Sequence, residues 1–154
     1  MEMTAILDPK AVHNLASVTS KKRLLQIISE QANTVYGLNA FEVFNALQDR
    51  EILGTTGVGK GVAIPHARLA TVTSIVGLFT RLENPVGFDS LDKQPVDIIF
   101  TLLAPVGDNP EHLKALALVS RTLRNKDVCA KLRSNEEPQT LFSILTENAA
   151  SKAA

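Results

Sequence analysis

From Ser20 onward the apolar residues Leu24, Ile27, Ile28, Ala32 and Val35 recur at the three- and four-residue spacing of one helix face, and the pattern stops at Gly37. This predicts an amphipathic helix closed by a glycine. Asn39 then stands where a capping side chain opens a second helix, with Ala40, Val43, Phe44 and Leu47 as its buried stripe and Arg50-Glu51 in its last turn. The pattern changes further on. Ser74 to Thr80 and Val96 to Leu103 are short runs rich in β-branched and aromatic residues, bounded by turn residues, as strands covered on both faces are. Pro105 and Gly107 end the second run, and Asn109-Pro110-Glu111-His112 predicts a helix start with a capping side chain, proline at the first helical position and an acid in the first turn. Leu113, Leu116, Ala117 and Leu123 supply the apolar face of that helix. Shorter helical patterns follow around Val128 and Leu132, and around Leu141, Phe142 and Leu145, before a tail over residues 149–154 that is expected to fray. No internal repeat, low-complexity block or linker divides the chain, so one domain over residues 1–154 is expected, most simply a sheet covered by helices on both faces.

Composition narrows the function classes. At 154 residues and 45% hydrophobic content the chain has enough apolar material for a real core. Its 16 basic and 16 acidic residues cancel, and it has no tryptophan and a single tyrosine, so neither a basic surface nor stacking platforms argue for nucleic acid. No apolar run approaches the roughly 20 residues that span a bilayer, and Met1-Glu2-Met3-Thr4 does not open a basic-then-apolar leader, so neither membrane insertion nor secretion is expected. A cytoplasmic location is the corresponding expectation. Cys129 stands alone, which excludes an internal disulfide or a thiolate-rich zinc site and agrees with a reducing compartment.

The chemistry concentrates between Arg50 and Arg68. Glycines at 54, 57, 59 and 61 form a ladder that is expected to present backbone N–H groups to an anion, and it leads to His66 on an Ile64-Pro65 support. Gly54, Gly59 and Lys60 satisfy part of a nucleotide-binding P-loop, but the next position is Gly61 where a hydroxyl is needed, and the preceding element is a helix. A P-loop is therefore rejected. No strand precedes the glycines and no suitable helix follows them, which removes a dinucleotide fingerprint as well. A lone histidine is more often structural than reactive, yet a neutral imidazole is a competent nucleophile and phosphoryl transfer asks the protein mainly for position and positive charge. His66 is the candidate phosphoacceptor, and Arg50, delivered by the second helix, is the candidate cation for the phosphoryl oxygens. His112 lies in the first turn of its helix, where unpaired N–H groups and the helix dipole favour an anion by about 0.3–1 kcal/mol. Two histidines without a third ligand at usual spacing do not make a zinc site, so no metal and no cofactor are expected. His13 is expected at the surface, and Asp89, Asp92 and Asp97 are read as structural.

At these residues the chain resembles the enzyme IIA proteins of the bacterial phosphoenolpyruvate-dependent phosphotransferase system, in the fructose/mannitol superfamily and its nitrogen-regulatory branch. The resemblance is carried by Gly54-Thr55-Thr56-Gly57-Val58-Gly59-Lys60-Gly61-Val62-Ala63-Ile64-Pro65-His66, by Leu78-Phe79-Thr80-Arg81-Leu82, by Pro95-Val96-Asp97-Ile98-Ile99-Phe100 and by His112-Leu113-Lys114-Ala115-Leu116-Ala117. It implies an α+β fold, a three-layer α/β/α sandwich around a mixed sheet of about five strands. It also implies that His66 is phosphorylated, that Arg50 and His112 line the phosphate site, and that Thr55 and Thr56, where the family often has Ser-Thr, offer hydroxyl contacts to phosphate. Ala67 replaces a frequent glycine. The donor implied is a phosphohistidine carrier protein (HPr/NPr-like). Two functions remain open on the sequence. One is a regulatory protein whose phosphorylation state selects partners, such as sensor kinases or potassium-transport components in relatives; the alternative is a sugar-specific IIA that passes the phosphoryl group to a IIB domain. The regulatory reading is preferred because the chain carries neither IIB nor IIC, and Cys129 lacks the loop setting of a IIB acceptor.

Overall fold

A computed structural model describes residues 1–153, with side chains described for residues 1–147; the tail expected to fray over 149–154 lies outside those described side chains. After a short 3-10 turn at Met3–Ala5 the elements run β1 (Leu7–Leu15), α1 (Lys21–Tyr36), α2 (Ala40–Ile52), β2 (Gly57–Gly59), β3 (Val62–Ala63), β4 (His66–Leu69), β5 (Val76–Val86), β6 (Val96–Pro105), α3 (Pro110–Arg124), α4 (Lys126–Arg133) and α5 (Pro138–Ala153). The helix ends follow the signals in the chain. Ser20 Oγ accepts from the Arg23 N–H, Asn39 Oδ1 from that of Glu42 and Asn109 Oδ1 from that of Glu111, while Gly37 closes α1 in the left-handed region at φ 70°.

The strands form one mixed sheet in the order β1-β5-β6-β3-β2, with β4 also paired to β6. β1 runs parallel to β5, β5 antiparallel to β6, and β6 parallel to both β3 and β4. Helices α1 and α2 pack on one another and on β1, β5 and β4, whereas α3, α4 and α5 pack on one another and on β6, β5 and β1. The result is the expected α/β/α sandwich, with six strands rather than about five. Strand β6 is its axis: Ile98 to Ala104 are all buried, and Phe79 of β5 meets Phe100 edge-on at a centroid distance of 6.3 Å.

Strand β1 has no counterpart in the periodicity of the chain. Pro9 interrupts it and its register shifts between Leu7 and Val12, both tolerable because β1 is an edge strand paired on one side only. His13, expected at the surface, is half-buried there, because β1 is covered from both layers by α1 and α5.

The glycine ladder also folds differently from expectation. Lys60 (φ 57°) and Gly61 (φ 80°) are the two loop residues of a hairpin between β2 and β3, and paired positive φ values are what a type I′ turn requires. The N–H groups of this segment do meet anions, but those anions belong to the protein: Thr56 N–H donates to Glu51 Oε1 at 2.9 Å and Lys60 N–H to Asp92 Oδ2 at 2.9 Å. Asp97 chelates Arg133 through two contacts of 2.9 Å, and Arg133 also donates to the Lys60 carbonyl, tying the hairpin to α4.

Strands β3 and β4 share one parallel register on β6, with Val62 opposite Ile98 and His66 opposite Leu102. They are a single strand interrupted at Ile64-Pro65. Pro65 has no N–H to give, its carbonyl accepts from Leu102 N–H at 2.9 Å, and Ile64 N–H turns to the Thr56 carbonyl at 3.0 Å. The interruption sets up the site.

Candidate functional site

Three elements converge on one open cavity of about 590 Å³: the C-terminal turn of α2, the strand β4 and the first turns of α3. Its polar lining consists of Asp49, Arg50, His66, Arg68 and His112, and its walls include Leu53, Leu113 and Leu116. Of the residues singled out in the sequence, Arg50, His66 and His112 therefore come together. Thr55 and Thr56 do not join them in this lining. Thr55 Oγ donates to the Phe88 carbonyl at 2.9 Å and accepts from Gly57 N–H at 3.0 Å, while Thr56 Oγ donates to Glu51 Oε2 at 2.5 Å.

Each member of the site is held by a distinct device. His66 Nδ1 lies 2.8 Å from the Ile64 carbonyl oxygen, an acceptor, so Nδ1 carries the proton and the lone pair resides on Nε2. Arg50 lies in the last turn of α2 and donates through Nη1 to the Gly54 carbonyl at 2.9 Å, leaving its other donors available to the cavity. His112 is 5% exposed, its ring centroid is 5.8 Å from that of His66, and its Nδ1 accepts from Arg68 Nε at 3.1 Å. Its Nε2 is buried and has no hydrogen-bond partner. Burial pushes the His112 pKa below the ordinary imidazole value, and the nearby His66 and Arg68 push it further in the same direction. His112 thus presents a neutral ring with an unused donor at Nε2.

Two participants escaped the sequence reading. Arg68 sits two residues beyond His66 in β4, where strand alternation puts both on the same side while Ala67 and Leu69 are buried; reading His66-Ala67-Arg68 as a strand would have exposed the pairing. Glu51, next to Arg50, does not line the cavity but braces the segment between α2 and β2: its side chain is 5% exposed and takes Lys21 Nζ at 3.0 Å together with both Thr56 donors. Among the described residues, no group of three or more His, Cys, Asp or Glu side chains is arranged to hold a metal ion. Nor is any helix among them long and apolar enough to cross a membrane.

A family model described as "Phosphoenolpyruvate-dependent sugar phosphotransferase system, EIIA 2" matches residues 5–148, and the chain belongs to that family. It is a phosphotransferase-system component of the enzyme IIA type, and within the family it lies on the nitrogen-regulatory branch. It is 46% identical over 145 residues to a nitrogen regulatory protein of Bradyrhizobium diazoefficiens, covering 94% of this chain and 95% of that one. With a nitrogen regulatory protein of Klebsiella oxytoca it shares 40% identity over 148 residues, covering 96% and 91%. Among solved structures, the nitrogen regulatory protein IIA-Ntr of Neisseria meningitidis superposes with a TM-score of 0.83 at 38% identity, covering 92% of this chain and 97% of that one.

Proposed function

We propose that His66 accepts a phosphoryl group on Nε2 from a phosphohistidine carrier protein, and that the phosphorylation state of the site then selects among protein partners. The single observation that carries this reading is the 2.8 Å bond from His66 Nδ1 to the Ile64 carbonyl, which supports a fixed tautomer with its nucleophilic lone pair at Nε2. In the transfer, a bond forms between Nε2 and phosphorus as the donor's nitrogen–phosphorus bond breaks. The donor imidazole leaves with the electron pair of that bond, and His66 Nδ1 keeps its proton throughout. The positive charge that develops on the His66 ring is stabilised by the Ile64 carbonyl, while Arg50 and the Nε2–H of His112 receive the phosphoryl oxygens. A dianionic group at the centre of a cavity walled by Leu53, Leu113 and Leu116 changes the surface that a partner meets, and this is the physical basis of the proposed regulation.

The test is intact-protein mass spectrometry at neutral to alkaline pH after incubation with phosphoenolpyruvate, enzyme I and the histidine carrier protein. One acid-labile phosphate is expected on the wild type and none on His66→Ala. A folded wild type that stays unlabelled by cognate donors overturns the reading. Transfer onward to an added IIB domain would replace the regulatory role with the sugar-specific one.

A further inference from the structure

We infer that Arg68 is a positioning residue of this site: it acts through His112, holding that ring in the tautomer whose Nε2–H faces the position of the transferred group. The inference rests on the phosphotransfer reading only for its kinetic consequence. Its structural part stands on geometry. Arg68 Nε can only donate, so at 3.1 Å the His112 Nδ1 must be the acceptor and the ring proton must sit on Nε2. Arg68 is itself pinned, since its Nη1 donates to the Gly107 carbonyl at 2.9 Å, in the loop just before α3. One guanidinium therefore fastens the strand that carries His66 to the helix start that carries His112.

The orphaned Nε2–H is the second observation. A buried imidazole donor with no partner costs free energy that a native site retains when something else supplies the acceptor. A phosphoryl oxygen on His66, whose ring lies edge-on to His112 at 5.8 Å between centroids, is an acceptor of the right charge. If the tautomer were reversed, the lone pair of Nε2 would face that oxygen and repel it. The charge of Arg68 adds to the effect, because protonating His112 would put two cations in contact and remove the acceptor that Arg68 uses. The other ionisable groups around His112 are His66 on β4, Asp49 and Arg50 across the cavity on α2, and the Glu111–Lys114 pair, 3.2 Å apart, on its own helix.

Long-range proton–nitrogen correlation NMR on histidine-labelled protein reads the tautomer without any phosphotransfer. In wild type, His112 is expected protonated at Nε2 and bare at Nδ1. In Arg68→Ala the two tautomers are expected to mix and the titration midpoint of His112 to move up, whereas Arg68→Lys, which keeps the charge and a donor, restores the low midpoint. A wild-type His112 protonated at Nδ1 overturns the inference even if the alanine variant does not fold, and so does an unmixed Nε2–H ring in a folded Arg68→Ala. The rate of labelling by the carrier protein supplies the kinetic arm. Arg68→Ala should slow it by about tenfold, the equivalent of one net hydrogen bond, and should add nothing in a His112→Ala background. Equal slowing in both backgrounds would mean that Arg68 acts on the phosphate directly, and would overturn the positioning role. An unlabelled wild type with the expected tautomer would overturn the phosphocarrier reading and leave the Arg68–His112 assignment standing.

Discussion

The carbonyl oxygen of Ile64 lies 2.8 Å from Nδ1 of His66, two residues later in the same strand line. The contact exists because Pro65 breaks the ladder between β3 and β4, so that the Ile64 carbonyl serves the histidine side chain. The phosphoryl group is therefore expected on Nε2. Proton–nitrogen correlation spectra of phosphorylated, histidine-labelled protein report which nitrogen bears phosphorus, and a phosphate on Nδ1 would contradict the arrangement.

Arg50 is tied to the rest of the protein by its bond to Gly54 and lines the cavity. Arg50→Ala should slow phosphorylation by about 10²–10³-fold, as loss of a charge-stabilising donor does, with little change in melting temperature. Labelling at the wild-type rate would remove Arg50 from the mechanism.

Glu51, the next residue, should behave in the opposite way. Its side chain is 5% exposed, and its carboxylate accepts from Lys21 at 3.0 Å and from the backbone and hydroxyl of Thr56. Removing it leaves the Thr56 amide and hydroxyl without their acceptor and Lys21 with only the longer contacts to the Phe88 carbonyl at 3.4 Å and Asp89 at 4.0 Å, so Glu51→Ala is expected to cost about 2–4 kcal/mol in urea unfolding. A variant as stable as wild type would show that water replaces the carboxylate at no cost.

Two histidines tie stability to pH. Burial lowers the pKa of both His13 and His112 below 6.5, so the unfolded chain takes up protons before the folded one does. The stability they contribute is complete above about pH 6.5 and is lost as pH falls through their lower folded values. Melting temperatures from about pH 8 to pH 5 should decline on the acid side, and less steeply in His13→Gln. Parallel curves for the two proteins would exclude a contribution from His13.

Gly61 tests the hairpin. A Cβ there would lie 2.6 Å from Arg133 Nη2 and 2.9 Å from Asp97 Oδ1, at a φ of 80° that disfavours any side chain. Gly61→Ala should destabilise by about 2 kcal/mol or more, measured by chemical denaturation, through backbone strain and displacement of the Asp97–Arg133 pair. A neutral substitution would mean that the turn can relax away from α4.

Much of this protein is decided locally and can be read along the chain. The helices announce themselves because a 3.6-residue period, a capping Ser or Asn and a closing Gly37 are short-range features, and β5 and β6 do so because a strand buried on both faces must be continuously apolar. The candidate residues His66, Arg50 and His112 could be picked out for a related reason, since a glycine ladder leading to Ile-Pro-His, an arginine in the last turn of one helix and a histidine in the first turn of another are local patterns, while their meeting in one site was implied by the resemblance. What the chain alone did not reveal depends on neighbours distant in sequence. Strand β1, broken by Pro9, is a strand only because β5 offers it an edge, and the glycine segment is a hairpin because β6 and the Asp97–Arg133 pair receive it. The placement of the threonine hydroxyls follows from Phe88 and Glu51, groups that periodicity cannot bring together. Likewise, the proton on His112 is set by Arg68, 44 residues away, and hydrogen-bond direction is a property of two groups in contact rather than of either residue.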